Sequence, residues 1–130
     1  MVFKNVISWF EIPAIDISRA QKFYEAIFDI QMIPLDLGQL QMCLFPTEGS
    51  MGSGAGALSC HKDFYKPSAT DGPLVYLNAN PDVQIVLDKI EAAGGKVAMP
   101  KTQISAEYGY MAIFIDTEGN RVALHSATEQ

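Results

Sequence analysis

Apolar and polar positions alternate along this chain in two rhythms, and the order of those rhythms occurs twice. The stretch Ile7-Ser8-Trp9-Phe10-Glu11-Ile12-Pro13 reads as a short strand over about 6–13. Ala20, Phe23, Tyr24 and Ile27 then recur at i, i+3, i+4 and i+7, which predicts one apolar stripe on a helix. Ser18 and Gln21 have the spacing of a capping box at its start, and the helix is expected to end near Asp29. Strands are predicted near 30–36 and 39–45, turning at Leu37-Gly38, and another near 55–61. Between them, Pro46 to Gly56 is rich in Gly and Ser and reads as a mobile loop, either a plain surface connection or a lid. Met51 in this loop, like Met99, reads as a surface residue without special meaning.

Residues 62–72 read as a linker, with Phe64 and Tyr65 as candidate anchors. A strand over about 73–79, containing Leu74-Val75-Tyr76-Leu77-Asn78, echoes the first one. Asn80-Pro81-Asp82 supplies a helix cap and a proline suited to a first turn. Val83, Val86, Leu87 and Ile90 repeat the stripe, and Gly94-Gly95 ends the helix. Strands follow at about 96–100, 109–116 and 120–126, the last two joined by a polar turn over Asp116–Asn120. Asp16-Ile17 matches Asp82-Val83, and Glu25-Ala26 matches Glu91-Ala92, both at an offset of 66 residues. The expected architecture is α+β, with two tandem βαβββ modules over about 1–61 and 73–130 in a single domain spanning 1–130.

At 130 residues and 48% hydrophobic positions the chain has enough apolar material for one core. A net charge of −6 without a Lys/Arg cluster argues against a nucleic-acid partner. No apolar run approaches the roughly 18 residues of a membrane span, and the N-terminus lacks the pattern of a signal peptide. Cys43 and Cys60 read as free thiols in a reducing cytoplasm.

Three stretches carry a family likeness. They are Phe10-Glu11-Ile12-Pro13 with Arg19-Ala20-Gln21-Lys22-Phe23-Tyr24, then Ile90-Glu91-Ala92-Ala93-Gly94-Gly95-Lys96-Val97, then the run from Ile113 to His125 with its Asp-x-x-Gly-Asn turn. In these the chain resembles the vicinal oxygen chelate superfamily, which includes glyoxalase I, bleomycin-resistance proteins and extradiol dioxygenases. The resemblance implies paired modules whose mixed sheets curl around a cleft, with helices on the outer face. It also implies a homodimer, since many relatives dimerise to complete their clefts. In the metal-dependent members four side chains hold a divalent cation. Carried over, those positions fall on Trp9, on Ala57 or Ser59, on Val75 and on Ala123. None of these is a usual ligand, so no metal residue is assigned and no cofactor is expected.

Strand alternation puts Glu11 on the face of Trp9, and Arg121 and His125 on the face of Ala123. Glu11 is the only charged residue from Val6 to Ile15, so it reads either as a general base or as a carboxylate tied to structural partners. His125 reads as a general acid/base, a displaced ligand or a hydrogen-bonded structural histidine, and His61 stands at the end of the fourth strand. Trp9, Tyr108, Tyr110 and Met111 are the candidate apolar wall, and Arg121 a candidate ligand-binding cation. The leading expectation is a metal-independent binder of a small apolar or aromatic molecule. The alternative is a glyoxalase-like lyase or isomerase using Glu11 and His125, with or without a divalent metal.

Overall fold

The computed structural model describes residues 1–48 and 52–127. The chain runs β1 (Trp9–Pro13), α1 (Ile17–Phe28), β2 (Ile33–Leu37), β3 (Leu40–Leu44), β4 (Ala55–Cys60), β5 (Tyr76–Asn78), α2 (Val83–Ile90), β6 (Lys96–Ser105), β7 (Gly109–Ile115) and β8 (Arg121–Ser126). The order strand-helix-strand-strand-strand occurs twice, as two βαβββ modules. Each module makes a four-stranded mixed sheet, ordered β1-β4-β3-β2 and β5-β8-β7-β6, and neither closes on itself. The first strand of each pairs in parallel with the fourth, and the remaining pairs are antiparallel.

The helix stripes form as the periodicity predicts. Ala20, Phe23, Tyr24 and Ile27 are buried on α1, and Val83, Val86, Leu87 and Ile90 on α2. The caps also repeat, since Asp16 accepts from the backbone N–H of Arg19 and Asp82 from that of Gln84. This corrects the expected capping box. The helix starts at Ile17, so Asp16 is its cap, and Gln21 instead donates to Glu25. Pro81 precedes the second cap rather than entering the helix.

The two helices and the inner faces of both sheets share one core, in which Ile12, Leu58, Phe23, Tyr24, Phe114 and Leu124 are nearly or wholly inaccessible to solvent. Strand ends differ from expectation by a few residues. The largest difference is β6, which continues past Pro100 to Ser105 because register shifts against β7 absorb the irregularity. Residues 49–51, within the loop expected over 46–56 and including Met51, lie outside the described residues. Among the described residues no helix is long and apolar enough to cross a membrane.

Candidate functional site

Pleating assigns each sheet an inner and an open face. On the first sheet Phe10, Ile12, Cys43 and Leu58 turn toward the helices. Trp9 and Glu11 of β1 are level with Ala55 and Ala57 of β4, and Ala57 with Leu44 of β3. Met42 and Leu44 in turn face Leu35 and Ile33 on β2. These alternate residues line an apolar groove of about 590 Å³, built mainly from Trp9, Ile33, Leu35, Met42 and Leu44, with Glu11 as its charged group. Strand β2 is exposed along its whole length, so among the described residues the groove has no far wall.

Glu11 is half-buried and held by two neutral donors. Its Oε2 accepts from Trp9 Nε1 at 3.3 Å, and its Oε1 accepts from the Tyr65 hydroxyl. That bond, with partial burial and the nearby negative charge, raises the Tyr65 hydroxyl above the ordinary phenol range; Ser59 opposes the rise. Sequence reading named Tyr65 as an anchor but not what it anchors. The two residues are 54 positions apart, and only the folded linker brings them together.

A second cavity, of about 440 Å³, lies along the free edge of β1 and is bordered by Glu11, Lys66, Asp71, Val75, Asn120 and Arg121. Arg121 fastens the linker here. Its Nη2 donates to the carbonyl of Gly72 at 2.8 Å and its backbone N–H to that of Ser68 at 3.1 Å, while its Nε is buried without a partner among the described residues.

The other candidates do not join Glu11. His125 stands on the open face of the second sheet, level with Asn78 and Met111, and its Nε2 lies 2.6 Å from the carbonyl oxygen of Tyr108. A backbone carbonyl only accepts, so Nε2 is the protonated nitrogen. Tyr108 is 63% exposed in the turn between β6 and β7. Tyr110 takes the opposite face from His125. The pairing of Ile113 with Ala123 puts the odd-numbered residues of β7 on the open face with His125. Tyr110 therefore turns inward with Ala112 and Phe114, its ring under Lys101 Nζ at 4.6 Å. Trp9, Tyr108, Tyr110 and Met111 thus do not form one wall. His61 accepts from the backbone N–H of Asp63 through Nδ1 and packs edge-on against Phe64.

At the positions where the resemblance would place metal ligands stand Trp9, Ala57 or Ser59, Val75 and Ala123. Ala57 and Ala123 are fully buried, and the backbone N–H of Ala123 bonds to the carbonyl of Val75. Among the described residues no three His, Cys, Asp or Glu side chains come together in a way that would hold a metal ion.

No family model matches the chain. A "Glyoxylase-like domain-containing protein" of Didymella fabae is 28% identical over 127 residues, covering 95% of each chain. An antibiotic binding protein from a Streptomyces species superposes with a TM-score of 0.68 at 19% identity, covering 98% of this chain and 100% of that one. A glyoxalase I variant from Zea mays superposes with a TM-score of 0.66 at 17% identity over 91% of this chain, which spans only 44% of the maize chain. The fold is thus one shared with glyoxalase and bleomycin-resistance proteins.

Proposed function

We propose, from that shared fold, that the chain is a glyoxalase/bleomycin-resistance-like protein that binds a small apolar or aromatic molecule against the open face of its first sheet, without the family's metal. The groove of about 590 Å³ beside Trp9 carries the reading. Its volume is that of an ordinary ligand site, and its walls are apolar with few polar groups to orient a guest. The antibiotic-binding neighbour of the same fold supports a binding role, and the absence of a ligating set among the described residues supports the metal-free form. The proposal includes a homodimer, in which a second copy supplies the groove's missing wall, and a cytoplasmic setting, in keeping with the unpaired Cys43 and Cys60. A lyase or isomerase reading requires Glu11 and His125 to meet at one substrate. They stand on different sheets with different partners, and no observation favours that reading.

Trp9 is the chain's one tryptophan and borders the groove, so its emission reports occupancy without a label. A panel of phenylalkyl probes, neutral and charged, is titrated while Trp9 emission and the unfolding temperature are followed. A saturable change in emission with a raised unfolding temperature for at least one probe is expected. No response from any probe up to its solubility limit overturns the reading.

A further inference from the structure

Among the described residues Glu11 has no counter-ion. The ion pairs seen among the described residues, Arg19 with Glu118 and Lys101 with Asp82, do not involve it. Lys66 and Arg121 border the neighbouring cavity that Glu11 also touches, yet neither forms an ion pair with it, and Arg121 is committed to the Gly72 carbonyl. Trp9 and Tyr65 are neutral donors and use one lone pair on each carboxylate oxygen. A carboxylate oxygen accepts more than one hydrogen bond, so each has capacity left. The groove that Glu11 lines is otherwise walled mainly by Ile33, Leu35, Met42 and Leu44, which cannot donate, with Thr47 the other polar side chain along it. A half-buried anion on an apolar wall is costly unless something compensates it.

From this we infer that the groove's ligand is an apolar molecule bearing a protonated amine, with the hydrocarbon or aromatic part on Met42, Leu44 and Leu35 and the ammonium on Glu11. The inference rests on the binding role proposed above and narrows it to a chemical class. An ammonium supplies the missing positive charge and the donors that Glu11 can still accept. The Trp9 indole borders the same point, and an aromatic neighbour further favours a cation. The chain's net charge of −6 draws cations in and repels anions at long range.

Phenylbutylamine, phenylbutanol and phenylbutyrate share one skeleton and differ in charge, and Trp9 emission reads all three. On the intact chain the amine is expected to bind on the order of ten-fold more tightly than the alcohol, and the acid more weakly than both. Glu11→Gln brings the ratio of amine to alcohol affinity close to one. Raising the salt concentration on the unaltered chain narrows the same ratio, a readout that stands even where Glu11→Gln folds poorly. Equal affinities for all three probes, or a preference for the acid, overturn the inference while leaving the apolar groove intact. If none of the three binds, the binding role falls and this inference with it.

Discussion

Tyr24 donates its hydroxyl hydrogen to Asp116 Oδ2 across 2.7 Å, joining the helix of the first module to a turn of the second with both residues buried. Asp116 also accepts from the backbone N–H groups of Glu118 and Asn120, and Asn120 Nδ2 reaches back to the carbonyl of Pro13 at 2.6 Å. The end of β1, the middle of α1 and the turn before β8 are therefore one connected piece. Burial, then the adjacent Asp116 charge, pushes the Tyr24 hydroxyl well above the ordinary phenol range, so it stays a donor. Tyr24→Phe keeps the packing against Phe23 and Phe114 and removes only this donor. A loss of about 1–3 kcal/mol in stability is expected, read as a lower urea midpoint at unchanged slope. An unchanged midpoint would mean that the contact does not hold the modules together.

Glu118 makes the same junction sensitive to acid. Burial alone would raise its carboxyl, but the Arg19 guanidinium, the backbone N–H groups of Asp16 and Ile15 and the Thr117 hydroxyl outweigh that and hold it below the ordinary carboxylate range. A group depressed in the folded state contributes stability above its unfolded value, roughly 4.3 for glutamate, and loses it as pH falls through the lower folded value. Stability is therefore expected to fall on acidification from about pH 5 toward 3. Glu118→Gln keeps the shape and flattens that slope. Chemical unfolding of both proteins across this range measures it, and parallel curves would remove Glu118 as the cause.

The helices were legible because their signal is local. Ala20 with Phe23, Tyr24 and Ile27 needs only the 3.6-residue period to be read as one face, whereas the capping-box spacing of Ser18 and Gln21 pointed past the true cap at Asp16. Contacts between distant residues left no such trace. Tyr65 meets Glu11 over 54 positions and Tyr24 meets Asp116 over 92, and nothing short of the docked modules sets either. The face of Tyr110 depends on which residue of β8 lies opposite β7, and a shift of one position would reverse it. The groove was half-legible. Alternation put Trp9 and Glu11 together, but Met42, Leu44 and Leu35 joined them only through strand pairing.

Gly95 marks a close approach that the sequence showed only as the end of a helix. A Cβ there would stand 2.7 Å from a ring carbon of Phe23 and 2.8 Å from the carbonyl oxygen of Ile115. One neighbour is backbone and the other a fully buried ring, so neither yields cheaply. Gly95→Ala is expected to cost about 1–3 kcal/mol, seen as a lower thermal midpoint. Gly56 is a different case, because the atoms its Cβ would meet first belong to the ring of Phe10, a half-buried side chain, and not to backbone. A smaller loss at Gly56 than at Gly95 is expected. The reverse order would mean that the Phe10 ring is the more firmly fixed of the two.

Strand β2 presents Ile33, Leu35 and Leu37 at 55%, 42% and 57% exposure, on the edge of a sheet with no further strand beyond it among the described residues. Three apolar side chains on one face of an edge strand make an unprotected surface, and proteins usually blunt such edges or cover them. Under the proposed homodimer a second copy covers them and closes the groove. Leu35→Asp tests this, because Leu35 belongs both to the exposed edge and to the groove wall. Because its partner Met42 lies on the open face, the change buries no charge in the core and leaves Ile12, Leu58 and Phe114 undisturbed. The variant is therefore expected to fold with a thermal midpoint near that of the isolated protomer. Sedimentation should show the unaltered chain as a dimer and Leu35→Asp as a monomer at the same concentration. If both sediment as monomers, the edge is bare in solution and the groove is an open trough; if both sediment as dimers, the copies meet elsewhere.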